Sequence, residues 1–180
     1  MNQKSESGFS YIEVMIAIVI LTIGILALLA GLTSAVVNAR GQNQQMVAKQ
    51  IATSTMESIM SVKETDPARM GWDAVGNVGS NIVNSVPRGI FVIGYQPVST
   101  DAGPDEVLGT ADDTGTLVPL VQRRIIVTDI CDPDRPSPNC PIPGTARVRM
   151  RTIQVIVRYT VGSLQRQEVA TTVLTDYAKN

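Results

Sequence analysis

The chain has 180 residues, a net charge of −1 and no histidine. So small a net charge creates no field that would attract nucleic acid, and aromatic residues, at 4%, offer few surfaces on which bases stack. The lack of histidine excludes Ser-His-Asp and Cys-His nucleophiles and every His-bound metal site. The remaining catalytic routes need paired carboxylates, a lysine base or a carboxylate-bound metal, and no pair in the sequence specifies a reaction. We therefore expect neither an enzyme nor a nucleic-acid-binding protein.

Residues 14–37 contain no charged residue and no proline. A helix rises about 1.5 Å per residue, so this segment is long enough to cross the roughly 30 Å hydrocarbon core of a bilayer. A cleaved signal peptide fits poorly, because its apolar core is usually about 7–15 residues long. A plain membrane anchor explains the length but not Glu13, since an ionised carboxylate in hydrocarbon costs several kcal/mol unless it is paired. The sequence therefore predicts a membrane-spanning segment whose carboxylate has a partner.

The helical pattern continues beyond the apolar segment. Apolar residues recur near helical spacing up to Val62, polar residues fill the other face, and no proline interrupts before Pro67. We predict one helix over residues 10–62, apolar all round in its first half and amphipathic in its second. A stripe of Val47, Ile51 and Ile59 should lie against a globular head.

Strand patterns fill the rest of the chain. Residues 64–88 read as a loop anchored by Trp72, and strands are predicted over residues 89–98, 120–130, 148–161 and 168–177. A turn at Gly162-Ser163 joins the last two strands, and the alternation changes phase near Thr152, which predicts a β-bulge there. Sequential hairpins imply an antiparallel sheet with one face covered by the helix, so the predicted fold class is α+β.

Acidic residues cluster between Arg88 and Arg123, a span without basic residues. Four of them lie on a loop with Gly and Pro turns, which suits the hard oxygen ligands of calcium: Asp101, Asp105, Asp112 and Asp113. The alternative is a solvated hairpin tip without metal. We expect no required cofactor, with calcium as the one candidate.

Two further features have two readings each. Cys131 and Cys140 would form a disulfide if the segment after the apolar run is exported, stabilising the fold by about 2–3 kcal/mol, whereas in a cytosolic protein they would be free thiols. Arg147, Arg149 and Arg151 alternate and so share a strand face. We expect a solvent face, paired with the acidic loop or a neighbouring subunit, rather than a DNA contact.

The N-terminal sequence Gly8-Phe9-Ser10-Tyr11-Ile12-Glu13, followed by the uncharged run, resembles the prepilin motif of type IV pilins and type II secretion pseudopilins. The resemblance implies a pilin-like fold and cleavage after Gly8 by a prepilin peptidase, which also methylates the new amino terminus at Phe9. It implies that Glu13 helps subunits enter the filament. A positive amine on Phe9 of one subunit would then pair with the Glu13 carboxylate of another in a medium of low dielectric.

The segments 13–18, 24–28 and 48–60 look most like minor pilins of the PilV type, with pseudopilins of the I type as the nearest rival. The resemblance implies a leader at residues 1–8, an assembly helix at 9–62 and a periplasmic head at 63–180. The implied partners are other minor pilins, the major pilin or pseudopilins, the inner-membrane assembly platform and the bilayer. The implied location is the inner membrane, followed by an extracellular pilus. A membrane-tethered calcium-binding or adhesive module that never polymerises is the alternative of a different class.

Overall fold

The structure is a computed structural model that describes residues 10–65, 70–130 and 148–176. Its first element is one long helix, α1, at Tyr11–Glu64, followed by a short helix, α2, at Gly71–Ala74. The long helix predicted over residues 10–62 is therefore confirmed. The chain divides into two compact units, Met1–Gln42 and Asn43–Asn180, so the amphipathic half of α1 is part of the head.

The head contains a small hairpin and a larger antiparallel sheet. The hairpin pairs β1 at Ile82–Val83 with β2 at Val86–Pro87. The sheet has the order β3-β4-β5-β6, with strands at Gln96–Asp101, Thr114–Ile130, Met150–Val161 and Leu164–Thr175. Each strand pairs with the next along the chain, as sequential hairpins require. The α+β fold class, a long helix on an antiparallel sheet, is confirmed.

The second half of α1 supplies one side of the core. Its fully buried residues recur at helical spacing on one face and include Ala48, Ala52 and Ile59. They pack with residues of the inner face of the sheet, among them Ile153 and Val155. Val47 and Ile51 lie at the margin of this contact and are only partly buried, so the buried face is centred slightly away from the predicted stripe.

The segment between α1 and β3 contains α2 and the β1–β2 hairpin, so the prediction of a loop over residues 64–88 was wrong in part; the rest of its described residues are irregular and cover part of one edge of β4. The prediction of a strand over residues 89–98 was wrong for its first part, because residues 89–95 form only an isolated bridge between Phe91 and Asn77. Phe91 is fully buried, and Gly94 has a φ of 86°, which breaks extended backbone before β3 begins. The Asn77 side chain bonds the Ile125 carbonyl at 2.9 Å and accepts from the Val127 N–H at 3.0 Å, so it replaces a neighbouring strand at this edge of β4.

The predicted bulge at Thr152 was also wrong. The β5 register runs without a shift against both β4 and β6, and the inward-facing positions alternate from Arg151 to Tyr159. Arg151 therefore lies on the buried face, not on a solvent face, while Arg149 is exposed just before the strand. Arg147 lies outside the described residues.

The Arg151 guanidinium is held by a specific set of partners. It lies 4.4 Å from the centroid of the Trp72 ring, donates to the Trp72 and Val75 carbonyls at 2.5 and 2.8 Å, and donates to Asp129 at 3.0 Å. Trp72 is 2% exposed and donates its indole N–H to the Val148 carbonyl at 2.6 Å. The predicted anchoring role of Trp72 is confirmed, and it works through a stacked arginine whose hydrogen bonds satisfy its buried charge.

Candidate functional site: the helix N-terminus and the acidic loop

The first half of α1 is an apolar surface without protein cover. Every residue from Ser10 to Arg40 is exposed, and in the part of the chain that the structure describes α1 is the one helix long and apolar enough to cross a membrane. Its two threonines satisfy their hydroxyls within the helix: Thr22 donates to the Ile18 carbonyl at 2.7 Å and Thr33 to the Leu29 carbonyl at 2.9 Å. Such internal bonding is what polar groups need in hydrocarbon.

Glu13 closes the N-terminus of this helix. Its carboxylate accepts the Ser10 backbone N–H at 3.2 Å, and its own N–H donates to the Ser10 carbonyl at 3.0 Å. Ser10-Tyr11-Ile12-Glu13 thus has the sequence spacing of a capping box, with Glu13 supplying the return bond to the first residue. The hydrogen bond uses one carboxylate oxygen, Oε2, so the other oxygen keeps its capacity to accept from a partner.

The two predicted processing residues, Gly8 and Phe9, lie outside the described residues, as do Cys131 and Cys140. Cleavage, methylation and the disulfide therefore stay predictions. The role of Glu13 in assembly also stays a prediction, but its place beside the helix N-terminus is now defined.

The acidic loop joins β3 to β4 and folds around its own carboxylates. Asp101 accepts the Gly103 N–H at 3.0 Å and Asp105 accepts the Val107 N–H at 2.8 Å. At Gly103, φ is 69° and an added Cβ would lie 2.1 Å from the Asp112 carbonyl oxygen, so the turn requires glycine. The loop is thus ordered by local hydrogen bonds rather than solvated freely.

Asp105 and Asp112 face each other across this loop. Asp112 accepts the Asp105 N–H at 3.2 Å and the Thr110 hydroxyl at 2.7 Å. Burial raises the pKa of Asp105, with a smaller contribution from the nearby Asp112 charge, whereas the Thr110 hydroxyl is the main cause that lowers the pKa of Asp112. The two carboxyls therefore ionise in sequence as the pH rises, Asp112 before Asp105.

Asp113 has a different partner, which the sequence did not reveal. Both of its carboxylate oxygens accept from the Gly109 N–H, at 3.1 and 3.0 Å. The carboxylate also forms an ion pair with the Arg123 guanidinium at 2.5 Å. Arg123 is 3% exposed and also donates to the Thr55 hydroxyl of α1 at 3.2 Å. Burial lowers the pKa of Arg123, and the Asp113 charge opposes this. The loop contacts α1 directly where Ser58 accepts the Leu108 N–H at 2.9 Å. It is also linked to α1 through Arg123, which joins Asp113 to Thr55.

The four carboxylates proposed for calcium are not gathered into one site. Within residues 10–65, 70–130 and 148–176, no group of three or more Asp, Glu, Cys or His side chains is placed to hold a metal ion. Asp101 caps a turn, Asp105 and Asp112 form one pair, and Asp113 is committed to Arg123. Calcium binding stays a prediction, and it would require these carboxylates to rearrange.

Comparison with known proteins gives one match. Residues 3–29 match the family model described as the prokaryotic N-terminal methylation motif. No curated protein and no solved structure matches the chain. The match includes the predicted cleavage site, Glu13 and the first two thirds of the apolar segment, residues 14–29.

Proposed function

We propose that this chain, whose residues 3–29 match the prokaryotic N-terminal methylation motif, belongs to the type IV pilin and pseudopilin family and is a minor type IV pilin. In this proposal the prepilin peptidase cleaves after Gly8 and methylates Phe9. The chain then stays in the inner membrane with its head in the periplasm until it enters a filament. Its role is structural: it primes pilus assembly, or modifies the pilus, together with other minor pilins, in the manner of PilV-type subunits.

The observation that carries the proposal is a carboxylate at the N-terminus of an uncovered apolar helix. Residues 14–37 must be covered by lipid or by other apolar helices, because exposing so much apolar surface to water costs free energy. Glu13 retains an accepting oxygen at the edge of this surface. A positive amine on Phe9 of an adjacent subunit is the complementary group, and pairing offsets the cost of placing both charges in a medium of low dielectric.

Two substitutions at Glu13 separate pairing from capping. Glu13→Ala removes both, whereas Glu13→Gln keeps an oxygen that can accept the Ser10 N–H but removes the charge. An unpaired buried charge costs about 3–5 kcal/mol, so both variants should reduce the amount of chain in sheared filaments about a hundredfold or more. The matched control is Glu57→Gln, an exposed carboxylate further along α1, which should assemble normally.

The readout is the fraction of chain in sheared pili relative to the membrane fraction. Loss in both Glu13 variants with normal membrane levels supports the proposal. Normal assembly of Glu13→Gln with defective Glu13→Ala would show that the residue acts as a helix cap and that the pairing account is wrong. A module that only tethers a head to the membrane would keep its function in both variants.

A minor pseudopilin of type II secretion is the second candidate, because the same N-terminal motif serves both filaments. Deletion of the chain separates the two. Loss of surface pili with normal protein secretion favours the pilin, and the reverse favours the pseudopilin.

A further inference from the structure

One end of the sheet carries exposed leucines beside arginines that form no ion pair with any residue of 10–65, 70–130 and 148–176. β5 turns into β6 through Gly162, whose φ is 62°, and the first residue of β6, Leu164, is 62% exposed. On the neighbouring strand, Leu120 is 69% exposed and has a φ of 61°, a backbone region that leucine rarely adopts. We call the set Leu120, Arg158, Leu164, Gln165 and Arg166 the hairpin patch.

The exposure of Leu120 is caused by a bulge in β4. Pro97 pairs with Gln122, but Ser99 pairs with Leu117, so one β3 residue lies opposite four β4 residues, 118–121. The extra residues push Leu120 outward, toward the side chains of the β5–β6 hairpin. Bulges and residues with strained backbone occur preferentially next to functional sites, where a bulge changes the direction of a side chain.

Two open depressions meet at Arg158. One has a volume of about 380 Å³, and its lining includes Leu117, Leu120, Arg158 and Gln165. The other has a volume of about 450 Å³, and Arg158 and Gln165 line it together with Arg166. The first is mainly apolar and the second mainly polar, and Glu168 lines the second together with the two arginines, so the patch presents an apolar surface next to a polar one that carries two arginines and one carboxylate.

The arginines of the patch are available to an anion. Arg158 stacks on Tyr95 at 3.7 Å from the ring centroid, which holds the guanidinium without neutralising it. Within the described residues neither Arg158 nor Arg166 forms an ion pair. The nearby Glu168 accepts the Gln45 side-chain amide at 2.7 Å. Arginine favours phosphate, since its fork of N–H groups matches the oxygen geometry.

The length of the intervening chain sets an upper limit on the distance between the apolar segment and the point where the head begins. The bond between Gln45 and Glu168 fixes this end of the sheet to the part of α1 where the chain enters the head. Only residues 38–44 separate Gln45 from Val37, the end of the apolar segment, and these eight residue steps span at most about 27 Å even when fully extended. The other end of β5, near Trp72, lies a whole strand away, about 36 Å.

We propose that the hairpin patch binds the anionic phospholipid surface of the membrane that holds α1. Arg158 and Arg166 contact headgroup phosphates, and Leu120 and Leu164 enter the interfacial layer. The contact would orient the head on the membrane before the subunit enters a filament. The inference rests on the proposed membrane insertion of residues 14–37 and adds a lipid preference to it.

Hydrogen exchange of the full chain in nanodiscs tests the proposal. The discs contain phosphatidylcholine alone or with about one third phosphatidylglycerol. A basic residue near an anionic surface contributes about 1 kcal/mol, which is about fivefold per arginine. Peptides covering residues 117–122 and 158–166 should exchange at least about fivefold more slowly in the anionic discs.

Three variants identify the groups responsible. Arg166→Gln, at an exposed side chain that forms no ion pair in the described residues, should lose part of this protection, and Arg158→Gln with Arg166→Gln should lose it all. Arg88→Gln makes the same charge change at an exposed position beside α2, at the other end of the head, and should leave the protection intact.

The outcomes separate this inference from the proposed function. If the chain does not co-elute with either disc, membrane insertion fails and both ideas fall. If the chain co-elutes but exchange is equal in the two lipids, the lipid site is wrong while the proposed function stands. Protection that depends on the number of chains per disc rather than on the lipid would show that a second copy occupies the patch, and would also overturn the inference.

Discussion

The buried ion pair between Asp113 and Arg123 gives the sharpest test of how the acidic loop is held. Asp113→Asn keeps an oxygen that can accept the Gly109 N–H but removes the charge opposite Arg123, whose side chain is 3% exposed. The Asp113 carboxylate is itself only 10% exposed, so water compensates little. Leaving a buried charge without its partner costs about 3–5 kcal/mol, and we expect the free energy of unfolding to fall by that amount.

A double-mutant cycle isolates the pair. Arg123→Met removes the guanidinium and its bond to Thr55 while retaining apolar volume, so the double variant should be destabilised by less than the sum of the two single variants. The coupling should be at least about 2 kcal/mol, because most of the cost of each single change is the partner left behind. Asp101→Asn is the matched control: Asp101 is exposed and caps a turn that asparagine also caps, so its effect should stay within about 0.5 kcal/mol.

The assay is denaturant unfolding of the full chain in detergent, followed by tryptophan fluorescence. Trp72 is the only tryptophan and is buried against Arg151 in the head, so its emission reports head unfolding. Equal effects of Asp113→Asn and Asp101→Asn would refute the reasoning. So would a double variant whose loss equals the sum of the single losses.

Two further predictions concern the carboxyl pair of the acidic loop. Burial raises the pKa of Asp105 above its ordinary value of 3.8, so between these two values the folded state binds more protons than the unfolded state, and stability falls as pH rises through that window. Asp105→Asn should therefore stabilise the head at pH 7 and lose this advantage near pH 3.8, in melts followed at both pH values; a constant difference would contradict the cause that we assign to the shift. If the loop binds calcium, millimolar calcium should raise the melting temperature of the wild type but not of Asp112→Asn, since ligand that binds only the folded state stabilises it. An unchanged melting temperature in wild type would make the calcium prediction wrong.

The long helix was predictable because its signals are local. An uncharged run, a helical period after it and the absence of proline before Pro67 define α1 within two residues at each described end. The S-x-x-E spacing of Ser10 and Glu13 also predicts the capping box that the structure contains. From the sequence we interpreted Glu13 through its charge beside the apolar segment and not as a cap.

The errors arose where tertiary contacts override the local pattern. Residues 89–95 are rich in strand-forming types, yet they form no strand. Phe91 in this irregular segment is fully buried in the core, and its N–H donates to the Gly76 carbonyl instead of to a neighbouring strand. Arg151 can lie on the buried face of β5 because the Trp72 ring stacks on its guanidinium and three oxygen atoms accept its hydrogen bonds. These partners are distant in the sequence, so no residue spacing predicts them. The alternation pattern therefore predicted a bulge at Thr152 and an exposed Arg151, and both predictions were wrong.

The partner of Asp113 was hidden for the same reason. Arg123 is ten residues away in the sequence and lies at an inward position of β4, where an arginine is not expected. Its burial becomes intelligible only when the acidic loop folds back over β4 and Thr55 of α1 comes into reach. Sequence reasoning therefore found the acidic cluster but assigned all four carboxylates to one metal site, although one of them neutralises a core arginine.

Intact mass spectrometry of the chain purified from cell membranes tests the central claim most directly. Processing by a prepilin peptidase predicts a mature protein that begins at Phe9 and carries one added methyl group on its amine. A chain that begins at Met1 and retains residues 1–8 would contradict the account, because Glu13 would then have no processed amino terminus as its partner.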